Sequence, residues 1–154
     1  MTNTIEKNLE ELGVVLPQAA APAANYLPFV KTGNQLFVSG QLPMKDGALA
    51  MTGKVGRDLS VEDGAQAARL CAINLLAQAK AATGDLSKVV RLIKIVGFVN
   101  SDGDFENQPQ VINGASDFLV EVMGDAGRHA RSAVSAGALP FNAAVEIEAI
   151  FEIE

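Results

Sequence analysis

From Ser60 to Gly84 the chain carries its own start and stop signals for a long helix, and that segment constrains what its neighbours can build. Ser60 stands three residues before Asp63, an N-cap signal, because a serine hydroxyl can accept from the backbone N–H groups left free at a helix start. The body is rich in Ala, Leu and Ile, and Gly84 supplies the stop. Its small residues, Ala67, Ala68, Ala72, Ala77 and Ala81, suit close packing on a sheet.

The rest of the chain offers that sheet. Ile5, Leu9 and Leu12 fall at helical spacing between glutamates and predict a short amphipathic helix over 5–12, followed by a loop from Leu16 to Pro22. Tyr26 to Thr32 reads as extended, Gly33-Asn34 as a tight turn, and Gln35 to Ser39 as an alternating strand, which makes a β-hairpin. A second loop with an Asp46-Gly47 turn precedes the long helix. Val89 to Val99 is dense in Val and Ile, as a buried strand requires. Asp104 then opens a second helix, whose Ile112, Ala115, Phe118, Leu119 and Val122 form one apolar face before Gly124. Two strands, Ala130 to Leu139 and Ala143 to Ile153, flank Pro140-Phe141-Asn142.

The order is therefore ββαβαββ after a leading helix. Both helices must cover one apolar sheet face, so the expected fold class is α+β, a two-layer sandwich with the helices on one side. The other face of the sheet still needs cover, which argues for oligomerisation. One domain over residues 1–154 is expected, with residues 1–21 as a helix and loop extension.

Composition narrows the function. With 12 Lys+Arg against 18 Asp+Glu, the net charge is −6 and the pI about 4.8, so the basic stripe that drives binding to a phosphate backbone is missing and nucleic acid is not an expected partner. No apolar run approaches the roughly 20 residues of a membrane span, and the amino terminus MTNTIEKNLEEL is charged; no membrane partner and a cytoplasmic location are expected. The single cysteine, Cys71, lies within an apolar helical stretch and reads as a small hydrophobe. The single histidine, His129, excludes a His-rich metal centre, and no GxSxG elbow accompanies it.

An acidic protein that handles an anionic metabolite needs a local cation. Arg131 begins a strand in which Arg131, Ala133 and Ser135 point one way, leaving room beside the guanidinium for a small carboxylic acid. Taken alone, the residue fits an edge-strand arginine paired with a surface glutamate better. In the last strand Glu146, Glu148, Glu152 and Glu154 share a face with Ile150, as a solvated acidic face would; a glutamate held near a bound imine could instead deprotonate water. Gly40 in Ser39-Gly40-Gln41 permits close backbone approach, though a bare turn glycine is the more frequent explanation. Tyr26, the only tyrosine, and Asn113, beside the apolar face of the second helix, are weaker candidates.

If the last two strands form a tight hairpin around Phe141 and Asn142, Arg131 lies opposite Glu152 and Glu146 lies six residues further along, roughly 20 Å away. A small ligand touching both residues would then have to lie between different chains.

Asn25-Tyr26, Ser39-Gly40-Gln41, Asp104-Phe105, Asn113, Ala130-Arg131-Ser132, Leu139-Pro140 and Val145-Glu146-Ile147-Glu148-Ala149, in that order, resemble the Rid/YjgF family of reactive intermediate deaminases, also labelled endoribonuclease L-PSP-like. The most specific part is the run ARSAVSAGALPFNAAVEIEA. The resemblance implies a chorismate-mutase-like fold, a homotrimer with sites in the clefts between subunits, and no metal or organic cofactor. It implies hydrolysis of 2-imino acids to 2-keto acids and ammonia. By position it assigns Arg131 to the substrate carboxylate, Glu146 to water, and Tyr26, Gly40, Asn113 and Ala133 to the pocket.

The sequence departs from the pattern at Ala133, where many members carry cysteine, and at His129, where proline is common; the leading helix and the stretch from Lys45 to Gly56 are additions. These mark a divergent branch. The competing function is a non-catalytic protein that binds a 2-keto acid in the same cavity; the acidic composition argues against an endoribonuclease.

Overall fold

A computed structural model describes residues 4–22 and 24–154; the first three residues of the charged amino terminus lie outside them. Helix α1 spans Thr4–Glu11, β1 Phe29–Thr32, β2 Gln35–Gln41, β3 Met44–Lys45 and β4 Ala48–Leu49. Then follow α2 over Val61–Thr83, β5 over Val89–Asn100, α3 over Gln108–Met123, β6 over Ala130–Ala136 and β7 over Val145–Ile153. Five strands make one sheet in the order β1-β2-β7-β5-β6, while β3 and β4 form a separate ribbon. β5 and β6 are parallel and the other pairs in the sheet antiparallel, so the sheet is mixed. With α2 and α3 on one face, the fold is the expected α+β two-layer sandwich.

The predicted signals on α2 are all used. Ser60 Oγ accepts from Asp63 N at 3.0 Å, and Asp63 Oδ2 accepts from Ser60 N at 3.3 Å, a reciprocal cap worth about 1 kcal/mol. Gly84 ends the helix at φ 76°, its N–H bonded to Lys80 O at 2.7 Å. Ala67, Ala68, Ala72 and Ala77 are buried as expected, while Ala81 faces outward. At the crossing of the two helices a Cβ on Gly114 would strike the backbone carbonyl of Ala65, so glycine is what lets α3 approach α2 so closely.

Three expectations need correction. Leu12 lies beyond α1 and is exposed; Ile5 and Leu9 are the buried residues of that helix, which is tied to α3 by a 2.8 Å bond from Asn8 Nδ2 to Val122 O. The second long helix starts at Gln108 rather than Asp104. Pro109 sits in its first turn, where a missing N–H costs nothing, and residues 102–105 make a turn closed by Phe105 N and Asp102 O.

The third correction is topological. β6 and β7 form no hairpin: β6 pairs in parallel with β5, and β7 lies on the other side of β5, bridging it to β2. A strand that returns through a crossover helix must run parallel to the strand it left, so β6 finishes at the same end as β5. The chain then crosses over that end, through Phe141 and Asn142 at φ 57° and 59°, before entering β7. Buried Asn100 pins the crossing, its Nδ2 donating to Asn142 Oδ1 at 3.1 Å and Ala143 O at 3.0 Å.

The helix-free face of the sheet carries Val30, Phe37 and Ile150 in one cross-strand row and Glu146, Phe98 and Val134 in another. Val30, Phe37 and Val134 are 50%, 41% and 44% exposed, so apolar groups remain uncovered there within one chain.

Candidate functional site

One group of predicted residues meets where β2 leaves the sheet. From Val38 to Gln41 β2 advances three residues while β7 advances two, from Ala149 to Ile147, so the extra residue bulges at Ser39 and Gly40. Ser39 holds the preceding loop, its Oγ donating to Leu27 O and its N to Pro28 O, each at 2.9 Å. The bulge lays Gly40 against Glu146: a Cβ there would collide with Oε2 and stand only 2.9 Å from Cδ. Glycine leaves room here for the carboxylate, which a Cβ would push aside, while its backbone conformation is open to any residue.

Glu146 and Gly40 border a cavity of about 480 Å³, with Tyr26 and Phe141 at its rim and Met44 and Leu49 of the β3–β4 ribbon on its wall. Tyr26 is 52% and Phe141 75% exposed. Burial raises the Glu146 carboxyl above its ordinary range, and neighbouring Glu148 pushes the same way. The group is thus a stronger base than a free glutamate.

A second group lies at the β6 edge of the sheet, under α3. Ile95 is level with Arg131 on β6 and Ala149 on β7, which puts Arg131, Ala133 and Ser135 on the helix side of the sheet. Arg131 Nη1 donates to Ser116 Oγ at 3.0 Å and Nη2 to Pro109 O at 3.5 Å, both on α3. No ion pair involves it among the described residues, so the surface-glutamate pairing does not occur. Ala133 is half-buried and packs on the core, and Asn113 is exposed one helical turn before Ser116.

The structure therefore brings Tyr26, Gly40 and Glu146 together at one cavity, and Arg131, Ala133 and Asn113 at another place. It does not unite the two groups within a chain.

Sequence reasoning missed Ser116, whose signal was its three-residue spacing from Asn113. It also missed the ribbon that supplies Met44 and Leu49, although Asp46-Gly47 has the composition of a two-residue hairpin turn and adopts φ 53° and 81°. Cys71 is fully buried as expected, its thiol raised well above its usual range by burial and donating to Val145 O. A larger cavity of about 650 Å³, at the starts of α2 and α3, is lined by Arg57, Ser60, Asp102, Asp104 and Glu106 and holds none of the predicted residues. Among the described residues no group of three or more His, Cys, Asp or Glu could hold a metal ion, and no helix is long and apolar enough to cross a membrane.

The family profile described as "YjgF/chorismate_mutase-like, putative endoribonuclease" matches residues 6–153. The chain belongs to the Rid/YjgF family. Within that family it is 50% identical over 150 residues to Protein TCP17 of Trypanosoma cruzi, covering 97% of this chain and 94% of the relative. The crystal structure of Atu1372 from Agrobacterium tumefaciens, a protein of unknown function, superposes with a TM-score of 0.92 at 56% identity, covering 99% of this chain and 94% of that one. A more distant Rid/YjgF structure, E. coli TdcF with bound serine, matches with a TM-score of 0.67 at 26% identity over 89% of this chain and 94% of its own.

Proposed function

We propose that this Rid/YjgF chain hydrolyses reactive 2-imino acids to 2-keto acids and ammonia, at sites shared between subunits of a homotrimer. The observation that supports the reading is that Arg131 and Glu146 lie apart, on opposite faces of the sheet, within one chain. Arg131 presents a guanidinium with no acidic partner among the described residues at the β6 edge, and Glu146, whose side chain leaves the opposite sheet face, presents a half-buried, strengthened base at its cavity. The uncovered Val30, Phe37 and Val134 give copies of the chain a reason to associate through that face.

The chemistry asks little of the protein. A protonated imine is already electrophilic at C2. Arg131 fixes the substrate carboxylate through a two-pronged hydrogen bond, while Glu146 takes a proton from water as its oxygen attacks C2. Glu146 passes that proton to the amino group of the resulting carbinolamine, the C2–N bond breaks with its electrons going to nitrogen, and the C2 hydroxyl gives up its proton through Glu146 to the departing ammonia as the oxygen becomes the ketone. Tyr26, Gly40, Asn113 and Ala133 shape the pocket. The serine held by the E. coli relative, a small amino acid with a carboxylate, fits a ligand of this class. A polyanionic RNA would instead have to approach a chain of net charge −6.

The test couples an amino-acid oxidase to the protein and follows imine decay. Wild type should accelerate decay and Arg131→Ala should not; unchanged decay across a range of amino acids would leave a binding protein in place of an enzyme.

A further inference from the structure

Behind Arg131 lies a hydrogen-bond chain that the proposed reaction does not use. His129 Nδ1 is 2.6 Å from Gly127 O, and His129 Nε2 is 2.9 Å from Ser116 Oγ, which in turn accepts from Arg131 Nη1 at 3.0 Å. A carbonyl oxygen only accepts, so Nδ1 carries a proton, and in the neutral ring Nε2 is left with its lone pair. Ser116 must then donate its single proton to Nε2, and its own lone pairs turn toward Arg131. Every donor in the chain points the same way, from the guanidinium to the serine, from the serine to the imidazole and from the imidazole to the backbone.

We propose that Ser116 and His129 are positioning residues for Arg131, and that neutral His129 is the state in which Arg131 is set for a carboxylate. The inference rests on the reading of Arg131 as the carboxylate anchor. A protonated imidazole would present an N–H to Ser116 Oγ, so two cations would compete for one oxygen and the serine proton would lose its acceptor. The cation that can move away is Arg131.

The surroundings favour the neutral form. Burial lowers the His129 pKa below its ordinary value, the charge of Arg131 lowers it further, and the bond to Gly127 O opposes them. The other charged groups on the elements around the imidazole are Asp117 and Glu121 on α3, Arg91 and Lys94 on β5, and Asp125 and Arg128 in the preceding turn. His129 stands just before β6 begins, two residues ahead of Arg131.

The experiment measures the affinity of intact protein for 2-oxobutanoate by calorimetry near neutral pH and about two pH units lower, where the ligand stays ionised. Wild type should bind about tenfold more weakly in acid. Ser116→Ala should bind about tenfold more weakly than wild type near neutral pH and change little further in acid, because the serine is the link between His129 and Arg131. His129→Gln, which keeps an acceptor at the Nε2 position but cannot titrate there, should change less than about twofold between them. Because His129 is the only histidine, its nitrogen NMR signals read the tautomer directly and should show the proton on Nδ1. A proton on Nε2, or a wild-type pH dependence that persists in His129→Gln, would overturn the proposal. Loss of binding in Arg131→Ala with none of these effects refutes the relay while sparing the anchor; unchanged binding in Arg131→Ala removes both.

Discussion

Arg131 and Glu146 lie on opposite faces of one sheet, with β5 running between their strands. Ala149 is the β7 residue level with Arg131, and Glu146 is three residues further along, level with Phe98 and Val134. Two strand spacings and three residues each amount to about 10 Å, and the sheet itself stands in between. The separation expected from a β6–β7 hairpin rested on the wrong pairing, yet the true pairing keeps the two residues apart more firmly.

The proposed sharing of sites between subunits makes a sharp prediction for mixed oligomers. Arg131→Ala and Glu146→Gln should each be inactive, but subunit exchange between them at equal amounts should recover about a quarter of wild-type activity, since about one site in four draws both intact residues. Activity assayed before and after exchange checks this; no recovery despite proven exchange would place both residues of a site in one chain.

Glu146→Gln alone should lower kcat by about a hundredfold or more while changing 2-keto-acid affinity little. In wild type, activity should be lost as pH falls through the raised Glu146 pKa, because the base must be ionised. Stability has the opposite sign. A carboxyl whose folded pKa is raised holds its proton more tightly in the folded state, so its contribution is full below the unfolded pKa and lost as pH rises through the folded one. Glu146→Gln should therefore raise the melting temperature at neutral pH, which calorimetry would detect.

Gly40→Ala tests the bulge. Gly40 is not among the residues at positive φ, so alanine fits the backbone; what it meets is the Glu146 carboxylate. Activity should fall at least about tenfold with the circular dichroism spectrum unchanged, a loss caused by displacing one carboxylate by about an ångström.

Val134→Asp should break the assembly. It puts a charge into the row shared by Phe98 and Glu146, so light scattering should report a smaller particle than wild type, with deaminase activity lost in parallel. An unchanged mass would show that this face is not the interface.

The architecture was legible where local chemistry decides it. Ser60, Asp63 and Gly84 mark the ends of α2 because capping involves residues within one turn of each other. The β1–β2 hairpin follows from Gly33-Asn34 for the same reason, pairing Thr32 with Gln35. The partner of β6 was not legible, since the loop from Gly137 to Ala144 reads as a turn and nothing local tells whether a turn closes a hairpin or steps over a neighbouring strand. Asn100 makes that choice from 42 residues away. The site divides in the same manner: Gly40 and Glu146 stood out as residues, but their contact depends on a bulge, and Ser116 became visible only once α3 lay over β6.

The place of β7 in the sheet also sets an order of events during synthesis. β2 and β5 never touch as strands; each hydrogen-bonds to β7, which comes after both in the chain. While the ribosome is still short of Val145, the amino-terminal hairpin and the β5–α3–β6 unit share the cover of α2 but no strand, and each leaves a row of backbone groups open. The nascent chain therefore waits, with two exposed edges, for the strand that closes both at once.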